Sequence, residues 1–211
     1  MIRRTTIIIT TLLMKLLYHH KVYGKKRLPK AGGIIAANHS SYLDPPLIGI
    51  SCPHEVHFLG RESLFRSPLF AWYIRKLYTH PVARGKGNIA TIRKCLELLK
   101  AGKKVVIFPE GTRSQDGNLH KGQLGVGMLV LRTKCLVIPT YIHGSYEIWS
   151  CHRKHPKFKG KTACVFGKPL DFSHFEGTST REMEERIAHS IMNAIAKLRR
   201  WYLDGAKGSP P

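Results

Sequence analysis

Short apolar runs alternate with longer amphipathic segments from residue 34 to residue 205, and this alternation confines the chain to an α/β architecture. Ile34-Ile35-Ala36-Ala37 is a buried-strand pattern closed by a polar turn, and Pro45-Pro46 then pre-set the backbone for a helix. Glu55 to Gly60 alternates with period two, Pro68 to Leu77 is an apolar helix-like run, and His80 to Ala83 is a short strand. Asn88 stands where a cap belongs, Ile89, Ile92, Leu96 and Leu99 share one helical face, and Gly102 stops that helix. Lys104 to Phe108 and Leu136 to Ile142 read as strands. Between them Gly122 to Arg132 is a Gly-rich helix whose small residues suit close packing on a sheet. A basic stretch, Arg153 to Lys161, precedes a last strand, Thr162 to Gly167. The C-terminal helix opens on a capping box, Ser179-Thr180-Arg181-Glu182, and Met183, Ile187, Ile191, Ile195 and Leu198 run along one face. The expected fold is one α/β domain with a mixed, largely parallel sheet flanked by helices. Residues 25–205 form that domain, 1–24 an apolar and basic membrane-associating segment, and 206–211 a disordered tail.

The charge narrows the function classes. Lys and Arg number 35 against 13 Asp and Glu, a net charge of +22 that attracts polyanions: nucleic acid, an anionic membrane surface, or acidic carriers and phosphate-bearing substrates. No recognition motif and no aromatic-basic interleaving supports nucleic acid. Five cysteines without a C-x-x-C pair suggest free thiols in a reducing compartment. Cys151, His152 and His155 lack a fourth metal ligand, so no metal is expected. Thr5 to Met14 is uncharged, but these ten residues are too few to cross a bilayer. Cations follow, and the first acidic residue of the chain is Asp44. A helix lying on an anionic bilayer fits this pattern, as does a buried N-terminal helix with a solvated basic tail.

Chemistry concentrates in Ile34 to Pro46, I-I-A-A-N-H-S-S-Y-L-D-P-P. In an open α/β sheet, ligands bind beyond the carboxyl ends of strands, where His39 and Asp44 fall. An imidazole oriented by a carboxylate is the minimal general base for a hydroxyl. On spacing alone Asp44 before Pro45-Pro46 reads as a helix cap rather than an orienter, and His57 with Glu62 repeats the five-residue spacing. Two further turns can receive an anion: Arg84-Gly85-Lys86-Gly87-Asn88 at a helix start, and Glu110-Gly111-Thr112-Arg113 after a strand. Ser40 and Ser41 adjoin His39, but neither sits in a G-x-S-x-G elbow, so a serine nucleophile is not expected.

N-H-S-S-Y-L-D (38–44), G-R-E-S-L-F (60–65) with Arg84, F-P-E-G-T-R-S (108–114) and V-I-P-T-Y (137–141) resemble, in order and spacing, the four motif blocks of the glycerolipid acyltransferases. Within that family they are most like the bacterial 1-acylglycerol-3-phosphate acyltransferases, over about residues 25–170. Arg61 stands where Lys is common and Thr140 where an aliphatic residue is common. The resemblance implies transfer of an acyl group from acyl carrier protein or coenzyme A to the 2-hydroxyl of 1-acylglycerol 3-phosphate (lysophosphatidic acid), giving phosphatidic acid, or to another lysophospholipid. It further implies His39 as base, Asp44 as its orienter, and Arg84, Glu110, Gly111, Thr112 and Arg113 around the glycerol phosphate. No cofactor beyond the thioester co-substrate is implied. The expected partners are that thioester and anionic lipids, at the cytoplasmic face of the cell membrane, peripheral or monotopic.

Overall fold

The computed structural model describes residues 2–82, 88–175 and 180–211. Strands β1 (Lys21–Tyr23), β2 (Gly33–Ala37), β3 (Val56–Arg61), β4 (Thr79–Val82), β5 (Lys104–Ile107), β6 (Val137–His143) and β7 (Ala163–Phe166) form a single sheet in the order β1-β7-β6-β2-β5-β3-β4. Every neighbouring pair is parallel except β6 with β7. The expected largely parallel α/β fold is therefore the one observed.

β2 lies in the middle, with Ile35 opposite Val106 on one side and Ile138 on the other. Helices cover both faces of the sheet, so β2 is apolar throughout rather than alternating. Its odd and even residues feed two separate cores. Ile34 and Ala36 join Val105, Val137 and Val165 under α4 (Asn88–Lys100), α5 (Leu124–Thr133) and α7 (Arg181–Leu203). Ile35 and Ala37 join Val106, Ile138 and Phe166 on the opposite face, under α1 (Ile2–Tyr18) and α2 (Asp44–Ser51).

Several expectations need correcting. The 1–24 segment is not separable from the domain: Tyr18 is buried in the second core and β1 adds an edge strand to the sheet. β1 is too short and too charged to show a period of its own. α6 (Ser145–Trp149), little more than one helical turn, also escaped the pattern. The tail is ordered where disorder was expected, because it packs back on the domain: Lys168 N donates to Pro211 O at 3.2 Å and the Trp201 indole to Lys207 O at 2.8 Å. Thr180 caps α7, accepting from Met183 N at 3.3 Å, one residue later than the capping box implied; Ser179 lies outside the described residues. Among the described residues no helix is long and apolar enough to cross a membrane.

The Gly-rich helix α5 packs closely, but its tightest glycine meets a helix rather than the sheet. A Cβ on Gly127 would lie 2.2 Å from the backbone oxygen of Glu184 in α7. Ala exceeds Gly by about 1 kcal/mol in helix propensity. Here that gain is opposed by a clash between two backbones, which cannot be relieved by a side chain turning away. Gly127→Ala is expected to lower stability by roughly 1–3 kcal/mol, read from the denaturant midpoint.

Candidate active site

β2 pairs with β5 on one side and β6 on the other, all parallel, so the loops leaving these strands open into one crevice. Asn38 carries the β2–β6 pairing one residue further through its side chain: Nδ2 donates to Ile142 O at 3.1 Å and Oδ1 accepts from Ile142 N at 2.7 Å. This holds the chain extended up to His39. The peptide then doubles back around Asp44, the first residue of α2.

The Asp44 carboxylate is fully buried. Its Oδ2 lies 2.8 Å from His39 Nδ1 and also accepts the backbone N–H groups of Ser40 (2.7 Å) and Ser41 (2.8 Å). A cap would take the free N–H groups of its own helix. Asp44 takes N–H groups that precede the helix, together with an imidazole, so the capping geometry is not the one formed. With Asp44 ionised, Nδ1 carries its proton toward Oδ2 and Nε2 presents a lone pair. Among the described residues nothing hydrogen-bonds Nε2. The ring is fixed on its flat side by Phe108, stacked at 3.9 Å with planes 14° apart. His57, by contrast, bonds Glu55 and His80 rather than Glu62.

Phe108 belongs to the loop after β5, whose remaining residues close over the same point. Glu110 is buried and both of its oxygens are engaged by backbone: Oε1 by His39 N at 3.1 Å and Oε2 by His120 N at 3.2 Å. Burial pushes its carboxyl pKa up, against these two bonds, which pull it down. Ser114 N donates to His39 O at 2.7 Å. Gly111 makes the turn at φ +75°, a conformation that disfavours any side chain. Gly111 and Thr112 are exposed at the rim of the crevice. Arg113 lies with its guanidinium carbon 3.8 Å from the centre of the Tyr42 ring, and its Nη1 is buried with no hydrogen-bond partner.

Of the residues singled out from sequence, His39, Asp44, Glu110, Gly111, Thr112 and Arg113 thus lie on two interlocked loops. Arg84, with the rest of the 84–87 turn, falls outside the described residues. Glu110 ties the two loops together. Four contributors were not singled out: Asn38, Tyr42, Phe108 and Trp149. Trp149 packs on Tyr42 at 5.3 Å, and its carbonyl accepts from Ser41 Oγ at 2.7 Å. Ser40 Oγ faces Ser145 Oγ at 3.3 Å, so neither serine is bonded to the His39 ring. The buried thiols are held protonated by desolvation, with Cys95 pushed up to about 12. An oriented imidazole with a free Nε2, on a loop tied to one carrying an arginine whose Nη1 has no hydrogen-bond partner, can deprotonate a hydroxyl carried by an anionic substrate.

Because Glu110 serves two backbone donors, Glu110→Gln leaves one of them facing an amide that cannot accept. Leaving one buried donor unmet costs about 1–3 kcal/mol. A stability loss of that order is expected in denaturant melts, with turnover falling further than the unfolded fraction explains, since His39 N loses its anchor. Glu110→Asp, too short to span both loops, is expected to fare no better.

Comparison with known proteins gives a consistent result. Residues 19–143 match the Acyltransferase family model. The chain is 28% identical over 181 residues to the 1-acyl-sn-glycerol-3-phosphate acyltransferase of Bacillus subtilis (strain 168), covering 84% of this chain and 87% of that one. It is 26% identical to the chloroplastic 1-acyl-sn-glycerol-3-phosphate acyltransferase LPAT1 of Arabidopsis thaliana, over 81% of this chain and 48% of the longer plant protein. The crystal structure of the 1-acyl-sn-glycerophosphate acyltransferase PlsC from Thermotoga maritima superposes with a TM-score of 0.77 at 27% identity, covering 93% of this chain and 79% of that one. The family match spans more than half of the 211 residues and takes in both site loops, so the chain belongs to the Acyltransferase family.

Proposed function

We propose that this enzyme transfers an acyl group from a thioester, acyl carrier protein or coenzyme A, to the 2-hydroxyl of 1-acylglycerol 3-phosphate, giving phosphatidic acid. The observation that carries the proposal is the His39–Asp44 couple at 2.8 Å on a loop interlocked with the one that carries Arg113, whose buried Nη1 has no hydrogen-bond partner. The acyltransferase relatives named for 1-acyl-sn-glycerol 3-phosphate support the choice of acceptor.

A neutral alcohol attacks a thioester too slowly to be useful unless its proton is removed as the C–O bond forms. His39 Nε2 accepts that proton, while Asp44 keeps the ring in the tautomer that can do so and stabilises the imidazolium. The acceptor oxygen adds to the thioester carbonyl, the C–S bond breaks, and the thiolate recovers the proton from the imidazolium. Ser40 and Ser41 bond within the scaffold rather than to the imidazole, which favours direct transfer over a serine-bound intermediate.

Arg113 binds the acceptor's phosphate, its flat guanidinium presented by the Tyr42 ring. Arg suits this role because its planar fork can both stack and bond two phosphate oxygens. Arg84, Gly111 and Thr112 complete the phosphate side of the site. No cofactor takes part. The enzyme works from the cytoplasmic membrane surface, with α1 lying in the interface. The exposed Ile8, Leu12 and Leu16 follow one another at helical spacing, and the helix holds Arg3, Arg4 and Lys15 with no acid.

Purified protein given lysophosphatidic acid and an acyl thioester is expected to form phosphatidic acid, and His39→Ala to form none. Arg113→Ala and Tyr42→Ala should each raise the KM for the acceptor about tenfold or more, with little change for the donor. Tyr42→Phe, which keeps the ring, should be close to wild type. Incubation with thioester alone should leave the intact mass unchanged. An acyl adduct discharged by lysophosphatidic acid would overturn direct transfer, and equal effects of Arg113→Ala on both substrates would overturn its assignment.

A further inference from the structure

The apolar run at Pro68 to Lys76 forms helix α3, preceded by a tight 3-10 turn at Glu62–Phe65. Only Ala71 and Ile74 of α3 are buried. Leu69 is 77% exposed, and Leu64, Phe70 and Trp72 are each nearly half exposed. An ordinary surface helix directs such residues inward. Four large apolar side chains turned outward within nine residues form a patch that needs a partner.

Three observations identify that partner as a lipid bilayer. The patch lies on a helix that meets α1. Tyr73 donates to Thr6 Oγ1 at 3.2 Å, and a groove of about 480 Å³ between the two helices is lined by Ile2, Thr5, Thr6, Ile9, Thr10 and Tyr73. Ile9 lines this groove and is itself half exposed, so the groove adjoins the outward apolar residues of α1 and, through Tyr73, meets α3. The rim is cationic: Arg61, Arg66, Arg75 and Lys76 are all exposed, and Glu62 is the one acid in residues 61–76. Apolar side chains inside a basic rim match the layering of acyl chains beneath anionic head groups. The patch also carries a Trp and two basic residues at its helix end, the side chains that settle at the boundary between lipid and water.

We infer that α3 is a second bilayer-embedded element, which with α1 holds the domain on the membrane at two points and receives a lipid acyl chain in the groove between them. Two points of contact fix the domain's rotation on the surface, which one helix lying in the interface does not. The 3-10 turn and β3 then sit at the lipid boundary, beside the strand ends where the crevice opens. The inference extends the membrane location proposed above. It does not depend on which reaction the site performs.

Trp72 reports on it directly. Wild-type protein on phosphatidylglycerol vesicles should show a blue-shifted tryptophan emission, and lipids brominated on the acyl chains should quench it. Trp72→Phe, a change at an exposed position, should remove most of that quenching although Trp149 and Trp201 remain. Leu69→Glu with Phe70→Glu should weaken vesicle partitioning about tenfold or more, measured by sedimentation. Quenching that persists in Trp72→Phe, or partitioning of the double variant within twofold of wild type while Leu12→Glu in α1 abolishes it, would overturn the role of α3 and leave α1 as the sole attachment. None of these readouts uses turnover, so loss of the acyltransferase reading would leave them standing, and the reverse.

Discussion

One carboxylate oxygen, Asp44 Oδ2, holds three N–H groups: the His39 ring and the backbones of Ser40 and Ser41. The same atom therefore shapes the loop and orients the base. A buried carboxylate is costly unless it is well paired, and the chain places very few. Among the described residues the only buried acids are Asp44 and Glu110, and both stand at the crevice. In a sequence with 13 acidic residues against 35 basic ones, such placement indicates that these two were retained for geometry rather than surface charge.

The two carboxylates act on each other's loops. Glu110 reaches back to His39 N, and Ser114 N returns a bond to His39 O, so the segment after β2 and the segment after β5 are closed from both sides. Phe108, between them, supplies the flat wall behind the imidazole. The parallel pairing of β2 with β5 makes this possible, because it brings both loops out at one end of the sheet. A hydroxyl-activating base and an arginine for an anion then come from separate stretches, about seventy residues apart, without any element having to move.

The sequence displayed the large periodic elements clearly, because strand and helix periods of the apolar residues survive in the fold: Ile34 to Ala37 fills both cores of the sheet, and Ile187, Ile191, Ile195 and Leu198 form the buried face of α7. Elements less than two periods long, β1 and α6, left no such trace. In the loops, residue type and spacing offered candidates, and the resemblance of the motif blocks to the glycerolipid acyltransferases marked His39, Asp44 and Arg113 among them. Partners that act through tertiary contact could not be marked. Tyr42 gains its meaning only once Arg113 has folded over it, and Asn38 only once Ile142 lies alongside. The bonds from Glu110 to two backbone N–H groups were likewise not legible, since only the closed loop pair forms them. The exposure of Leu69 and Phe70 was equally hidden, since an apolar helix reads the same whether its face meets a core or a bilayer.

The account's central claim is that Asp44 acts through His39, and Asp44→Asn tests it most directly. Asn preserves size and can still accept the Ser40 and Ser41 N–H groups, but it carries no charge to stabilise an imidazolium and can leave the ring in the wrong tautomer. With circular dichroism and melting verifying the fold, kcat for phosphatidic acid formation is expected to fall by about 10²–10⁴-fold, with the KM for lysophosphatidic acid little changed. A folded Asp44→Asn protein turning over within a few-fold of wild type would show that the carboxylate only shapes the loop, and would contradict the account.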